Sequence, residues 1–338
     1  MATCAGFLLY SPSGCSSSLL SINLYILTGV NTFAAMLMKK SILLFLLFIG
    51  SVAVHAQKLV LATYQYADNN RLKNIQPLAD HIAKETGLEV QVKSYPSVHL
   101  FIEAIQANEV DIALINTFGY FLLDASSKKY NMKPLVVLKV RDDAKDNYKT
   151  AFVSLKQLAV DTITALKQVA ATSSLALVDP GSTSGNLVPR LALNAAGIRN
   201  PEKDFLAFSY GKNHRATLDL VLQGKASVGA VGSTEYFNML KDTAKSNRVK
   251  LLWLSPEIPL GPVLVHNRLN RQIKDRLRAM LLDLHLSNQP ALEWVKQGWS
   301  EAKQAEKYVP VTRHFYTPFK QQLGETKTME MILKQFAN

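Results

Sequence analysis

Three consecutive hydroxyl side chains, Ser182, Thr183 and Ser184, stand between two glycines in the segment Asp179-Pro180-Gly181-Ser182-Thr183-Ser184-Gly185-Asn186. The apolar run at 174–178 reads as a strand, and residues 186–196 follow with helical spacing. The switch from strand to helix is where α/β sheets present ligands. Free backbone N–H groups and the positive end of the helix dipole meet there, so an oxyanion is well accommodated. One hydroxyl is enough for a helix cap. Three in a row, beside glycines that allow close backbone approach, point to an anion site. The segment lacks the Gly-Lys-Ser/Thr of a P-loop and the Gly-x-Gly-x-x-Gly of a dinucleotide site. Pro189 sits inside the expected helix, where it would remove a hydrogen bond.

Other pairings are weaker. His81 with Glu85, and His99 with Glu103, are four residues apart, a spacing that could place two metal ligands on one helix face. Neither has an evident third ligand, so both read as solvated helix faces and no metal is expected. Ser184, His214 and an Asp could be assembled into a nucleophilic triad on paper, but three hydroxyls at a helix start suit recognition better than base-activated attack.

Around this segment the apolar pattern alternates between strand and helix. Residues 59–64 read as a buried strand, 72–82 as a helix ended by Gly87, 88–92 as a strand, 101–107 as a helix and 110–115 as a strand. The order implies a parallel sheet covered by helices. After a charged stretch at 141–149 the alternation resumes, with strands at 150–155, 174–178, 206–208 and 227–231 and helices at 159–169, 186–196 and 216–222. Strands at 251–254 and 262–266 flank a Pro-rich segment, and the remainder reads as mostly helical. Two α/β lobes joined by two crossings place a cleft between them, a favoured ligand site.

Length and composition agree. The 338 residues are 48% apolar and 19% charged, which excludes disordered and disulfide-scaffold classes. The net charge is +12, but the basic residues are scattered, and no basic stripe with interleaved aromatics suggests nucleic-acid binding. Residues 1–37 contain no charged side chain, whereas Met38-Lys39-Lys40, the apolar run from Ser41 and Val54-His55-Ala56 form the three regions of a signal peptide. The reading is a start-site extension over 1–37, with Met36 or Met38 as the better start, a signal peptide over 38–56 and cleavage after Ala56. Both cysteines, Cys4 and Cys15, lie upstream. The exported chain of 282 residues then has a charge of +10, no disulfide and no thiol chemistry.

The region from about Leu59 to Phe319 resembles the phosphate/phosphite/phosphonate-binding proteins of ABC importers, which are type II periplasmic binding proteins. The most specific match is DPGSTSGNLVP, residues 179–189, which also absorbs Pro189. Supporting segments are VDIALINTFGY at 110–120, Asn147-Tyr148-Lys149, SYGKNHRA at 209–216 and LLWLSPEIPLGPVLV at 251–265. The resemblance implies a type II periplasmic-binding-protein fold, with lobe 1 over 57–147 and 262–338, lobe 2 over 148–261, and a two-crossing hinge. It implies that Ser182, Thr183 and Ser184 donate to phosphorus oxygens, helped by His214, that Tyr148 closes over the ligand, and that Glu235 stands where amine-binding relatives carry an acid. Val98 and Gly261 depart from the Tyr and Asp found in amino-phosphonate binders, so a small phosphorus oxyanion is the expected ligand. The implied protein is a periplasmic monomer, neither an enzyme nor membrane-spanning in its mature form, needing no cofactor and delivering its ligand to an ABC permease with its ATPase. A sensor partnering a membrane histidine kinase is the alternative, and an enzyme on the same fold a lesser one.

Overall fold

The computed structural model describes residues 58–144, 147–324 and 326–336. Leu59–Tyr64 forms β1, buried along nearly its whole length. Leu72–Thr86 forms α1, ended by Gly87 with φ 72° and its N–H on the Ala83 carbonyl, a left-handed cap that glycine adopts without strain. Val90–Tyr95 is β2, Val98–Gln106 is α2, capped by the Ser97 hydroxyl, and Ile112–Leu114 is β3. Thr117–Ala125 is α3, whose Asn116 cap accepts from Gly119 N–H. Met132–Val140 is β4, a strand the sequence pattern does not announce because Pro134 interrupts it. The proline sits beside a register shift against the later strand Pro262–His266, where a lost ladder bond is tolerated.

The second set of strands comprises β5 Thr150–Leu155, β6 Ser174–Leu177, β7 Ala207–Tyr210, β8 Val228–Gly232 and β9 Val249–Leu254. Its helices include α4 Val188–Ala195, α5 His214–Leu222 and α6 Ser233–Leu240. The chain returns through β10 Pro262–His266, α7 Arg271–Ser287, α8 Gln289–Gln297, β11 Ala305–Pro310 and α9 Thr326–Lys334. The helix expected over 159–169 is confined to Leu166–Val169. Upstream of it, Thr162 Oγ1 accepts from Ala165 N–H, the side-chain competition that breaks helices.

These strands make two sheets, in the orders β11-β4-β10-β3-β1-β2 and β7-β6-β8-β5-β9. Each lobe is therefore a sheet with its own helices, as the alternation implies. The sheets are mixed rather than wholly parallel. The β1–β2 and β1–β3 pairs are parallel, while β10 and β11 join antiparallel; in the second sheet β5 runs antiparallel to β8 and β9. β5 and β10 enter directly from a crossing, whereas β11 joins antiparallel to β4 after α7 and α8.

The two crossings lie side by side and are bonded to each other. Thr150 N–H donates to Ser255 Oγ at 2.8 Å, Ser255 N–H to the Thr150 carbonyl at 2.9 Å and Ile258 N–H to the Tyr148 carbonyl at 2.7 Å. Gly261, at the end of the second crossing, lies so close to the 115–116 backbone that a Cβ would stand 1.9 Å from the Ile115 carbonyl oxygen. Backbone cannot move aside as a side chain does. Gly261→Ala is therefore expected to cost about 1–3 kcal/mol of stability, measured by urea unfolding; a loss below about 0.5 kcal/mol would count against this close approach.

Candidate functional site

The hydroxyl segment folds as a turn of π-helix over Thr183–Leu187 leading into α4. Leu187 N–H reaches the Ser182 carbonyl at 3.1 Å and Val188 N–H the Thr183 carbonyl. Such wide turns recur at functional sites. Pro189 falls in the first turn of α4, where its missing N–H costs nothing. Both glycines are required sterically, since a Cβ at Gly181 would stand 2.3 Å from Val98 and one at Gly185 2.3 Å from Val178.

The hydroxyls have defined partners. Ser182 Oγ accepts from Gly185 N–H at 3.0 Å, and Thr183 Oγ1 accepts from Phe118 N–H, across the cleft on α3, at 3.0 Å. Asn116 Nδ2 donates to the Gly181 carbonyl at 2.9 Å, a second bond across the cleft. A hydroxyl holds one proton and two lone pairs, so both side chains keep their proton after these contacts. Behind the turn, Asn186 Nδ2 donates to the Pro180 carbonyl at 2.8 Å, and its Oδ1 accepts from Arg190 Nε at 2.8 Å. Arg190 is buried and pairs with Glu202, and its Nη2 donates to Tyr210 Oη at 2.9 Å. The turn is thus anchored on both sides.

A cavity of about 440 Å³ opens in front of it. Tyr148, Ser182, Thr183, Ser184 and His214 all line it, so the structure brings together five of the six expected residues. The Tyr148 side chain is buried within hydrogen-bonding reach of Thr183 and Ser184, and burial holds its hydroxyl pKa well above the ordinary 10. It stays a donor at neutral pH. Glu235 is the exception. It lines an adjoining chamber of about 220 Å³, and its Oε1 lies 3.5 Å from Arg215 Nη1, which offsets its charge.

Several cavity residues have no local signal in the sequence. Arg71 is buried, with Nε on the Gly298 carbonyl at 2.8 Å and Nη1 on the Tyr64 carbonyl at 3.2 Å. Its guanidinium lies 4.6 Å from the Tyr64 ring centre and 4.4 Å from that of Trp299. It brings a fixed cation to the cavity from a position far from the hydroxyl segment. Tyr66 carries a buried hydroxyl that no side chain among the described residues engages, beside the His214 backbone, and Glu301 adds a carboxylate. Val98 lines the cavity, whereas Gly261 does not and is packed on backbone. The metal pairs stay unassembled, with no group of three His, Cys, Asp or Glu among the described residues. His81 departs from the solvated face expected of it: it is buried, with Nε2 unpartnered.

His214 Nδ1 accepts from Gly232 N–H at 2.9 Å, so the neutral ring carries its proton on Nε2. Burial lowers its pKa from 6.5 to about 4, and the ring remains a neutral donor through the physiological range. Between those values the unfolded chain binds a proton that the folded chain refuses, so stability rises with pH. Acidification from pH 6.5 to pH 4 is expected to cost at most roughly 3 kcal/mol through this residue, less to the extent that cavity water reaches the ring. An NMR titration of the ring, with His214→Asn flattening the pH slope of unfolding, checks this; a ring pKa of 6 or above would contradict it.

The comparisons with known proteins converge with this geometry. The sequence model of the periplasmic phosphonate substrate-binding proteins of ABC transporters matches residues 61–308. The chain is 26% identical over 208 residues to a probable phosphite-binding protein of an ABC transporter from Prochlorococcus marinus (strain MIT 9301), covering 59% of this chain and 68% of that protein. It is 25% identical over 232 residues to a phosphate-import protein of Mycolicibacterium smegmatis, covering 66% and 71%. The fold matches a binding protein of an ABC phosphonate transporter from Pseudomonas aeruginosa with a TM-score of 0.61, at 19% identity over 84% of this chain and 89% of that one. It also matches a Prochlorococcus marinus protein solved with methylphosphonate, with a TM-score of 0.58, at 18% identity over 83% and 99%. The extension at 1–37, the signal peptide at 38–56, its cleavage after Ala56 and both cysteines lie outside the described residues, among which no helix is long and apolar enough to cross a membrane. Matched across residues 61–308, the chain belongs to the periplasmic phosphonate substrate-binding proteins of ABC transporters.

Proposed function

We propose that this protein captures a small phosphorus oxyanion in the cavity between its lobes and hands it to an ABC permease whose ATPase drives import. The observation that carries the reading is the set of donors on one wall: the Ser182, Thr183 and Ser184 hydroxyls, Tyr148 Oη and His214 Nε2 line a single cavity, and neither His214 nor Tyr148 is charged at neutral pH. Donors of this kind, fixed before the ligand arrives, suit an anion without any metal. Each hydrogen bond to a charged partner contributes about 1.5–3 kcal/mol, so a few of them exceed the roughly 4 kcal/mol or more lost on association. The buried Arg71 adds positive potential from the opposite lobe.

The hinge follows from the crossings. Lobe 1 comprises 57–147 and 262–338 and lobe 2 comprises 148–261, with bending absorbed where the paired crossings leave the sheets. Tyr64, Tyr66 and Arg71 face the ligand from the first lobe, while the hydroxyl segment and His214 face it from the second. Only the closed arrangement lets both contact it, so the ligand selects that state. Glu235, in the side chamber and beside Arg215, serves the ligand's far end at most. Membership in an ABC-transporter family favours import over a kinase-coupled sensor, and a substrate-binding family favours reversible capture over turnover. The same membership supports a periplasmic location and export by the 38–56 leader.

Calorimetry with phosphate, phosphite and methylphosphonate tests the reading. Replacing Ser182 and Thr183 together by alanine is expected to weaken binding by at least a hundredfold, the loss of two hydrogen bonds to a charged group. Loss of the Ser182 cap costs about 1 kcal/mol of stability and loss of the Thr183 acceptor leaves the Phe118 N–H unpaired at about 1–3 kcal/mol, so the melting temperature of the double variant serves as the folding control. If none of the three anions binds the wild type, or if the double variant binds as tightly, the proposal fails.

A further inference from the structure

Six residues border both the main cavity and the side chamber: Tyr66, Tyr148, Ser184, His214, Ser300 and Glu301. They form the junction between the two spaces. Tyr66, Tyr148, Ser184 and His214 offer hydrogen-bond donors, whereas Glu301 offers a carboxylate acceptor. Ser300 Oγ lies 3.2 Å from Glu301 Oε2, and no ion pair among the described residues engages this carboxylate. Beyond the effect of burial, its charge raises the hydroxyl pKa of Tyr64, Tyr66 and Tyr148 alike, which places it close to all three. The other charges facing this space are Arg71, Asp179, Lys212 and Lys303 in the main cavity and the Arg215–Glu235 pair in the chamber.

An unneutralised carboxylate beside an anion site is unfavourable unless the ligand itself supplies a proton between the two. We infer that Glu301 is a specificity residue that accepts a hydrogen bond from a protonated oxygen of the bound phosphorus group, so that the site takes acids retaining a P–O–H proton and rejects fully deprotonated anions of the same shape. The ligand's hydroxyl donates to the carboxylate, while its remaining oxygens accept from Ser184, Tyr148 and His214. A sulfonate has no such proton at neutral pH and would bring two negative oxygens together. This inference rests on the proposed binding of phosphorus oxyanions and adds the feature that separates them from sulfur oxyanions.

Methylphosphonate and methanesulfonate share size and shape and differ in that proton. Calorimetry at pH 7 is expected to show the wild-type protein preferring methylphosphonate by about a hundredfold or more, the scale of one charge-assisted hydrogen bond replaced by a repulsion. Glu301→Gln, with its melting temperature as the folding control, is expected to narrow that gap about tenfold, chiefly by improving methanesulfonate. Equal affinity of the two ligands for the wild type, which needs no variant, would overturn the inference, as would an unchanged gap in Glu301→Gln. A loss on Glu301→Gln confined to 2-aminoethylphosphonate would also overturn it, by assigning the carboxylate to an ammonium group. Failure of phosphate, phosphite and methylphosphonate alike to bind would instead defeat the proposed function beneath it.

Discussion

A hydroxyl group accepts twice but donates once, and the proposed binding wall of this protein depends on where that single proton goes. At Ser182 the acceptor side is occupied by Gly185 N–H, and at Thr183 by Phe118 N–H. With protein amides already held as donors, each side chain retains its own proton for a partner that accepts. Oxyanions are such partners. The same two bonds carry structural weight, since one caps the π turn and the other ties that turn to α3 across the cleft. The proposed recognition and the fold thus share atoms, and the segment cannot be rearranged without loosening the fold.

The consequence extends to the lobes. The bonds from Asn116 and Phe118 to the hydroxyl segment mean that the start of α3 and the ligand turn approach each other at the base of the cavity. Farther out, Tyr66 and His214 meet across the cleft with ring centres 6.2 Å apart, while Tyr64 and Arg71 wall the cavity from the first lobe. The paired crossings at 148–150 and 255–258 supply the remaining link. At its C-terminal end the chain adds α9, which packs on α3 of the first lobe and α4 of the second. Phe336 beyond it lies over the Arg190 guanidinium at 5.1 Å, so the network steadying the π turn also meets the chain's last helix.

Charge in the cavity is distributed with economy. His214 is kept neutral by burial, and its proton is fixed on Nε2 by Gly232. Tyr148 is kept protonated by burial. Buried positive charge comes from Arg71, whose guanidinium donates to two carbonyls and lies over three rings and so cannot swing away. A net charge of +12 over the chain says little about this arrangement. One buried guanidinium in low dielectric acts on a ligand more strongly than many solvated lysines, whose fields water and salt screen.

Much of this was legible in the residues alone. Local chemistry, namely hydroxyls between glycines at a strand-to-helix switch, marks the proposed anion wall at 181–185, whereas the helix read at 216–222 starts two residues earlier, at His214 behind its Asn213 cap. Alternating apolar patterns mark most strands and the division into two sheets. What the pattern missed was set by distant partners. β4 hides behind Pro134 because the bulge that accommodates it is made with β10, more than a hundred residues later. Antiparallel pairing of β5 and β10 depends on how the crossings enter the sheets, which no local period records. Arg71 and Glu301 carry no motif, since one is held by residues 298–299 and the other reaches the site only where α8 and β11 bring the chain back. Glu235, which the resemblance singled out, lines the side chamber with Arg215 beside it, a placement that local sequence does not record. By itself, then, the sequence determined the two-sheet α/β plan and the donor wall, because both rest on short-range hydrogen bonding and periodicity. Only the tertiary structure decided which charges face that wall, because a buried charge acts through distance in space and chain order does not encode it.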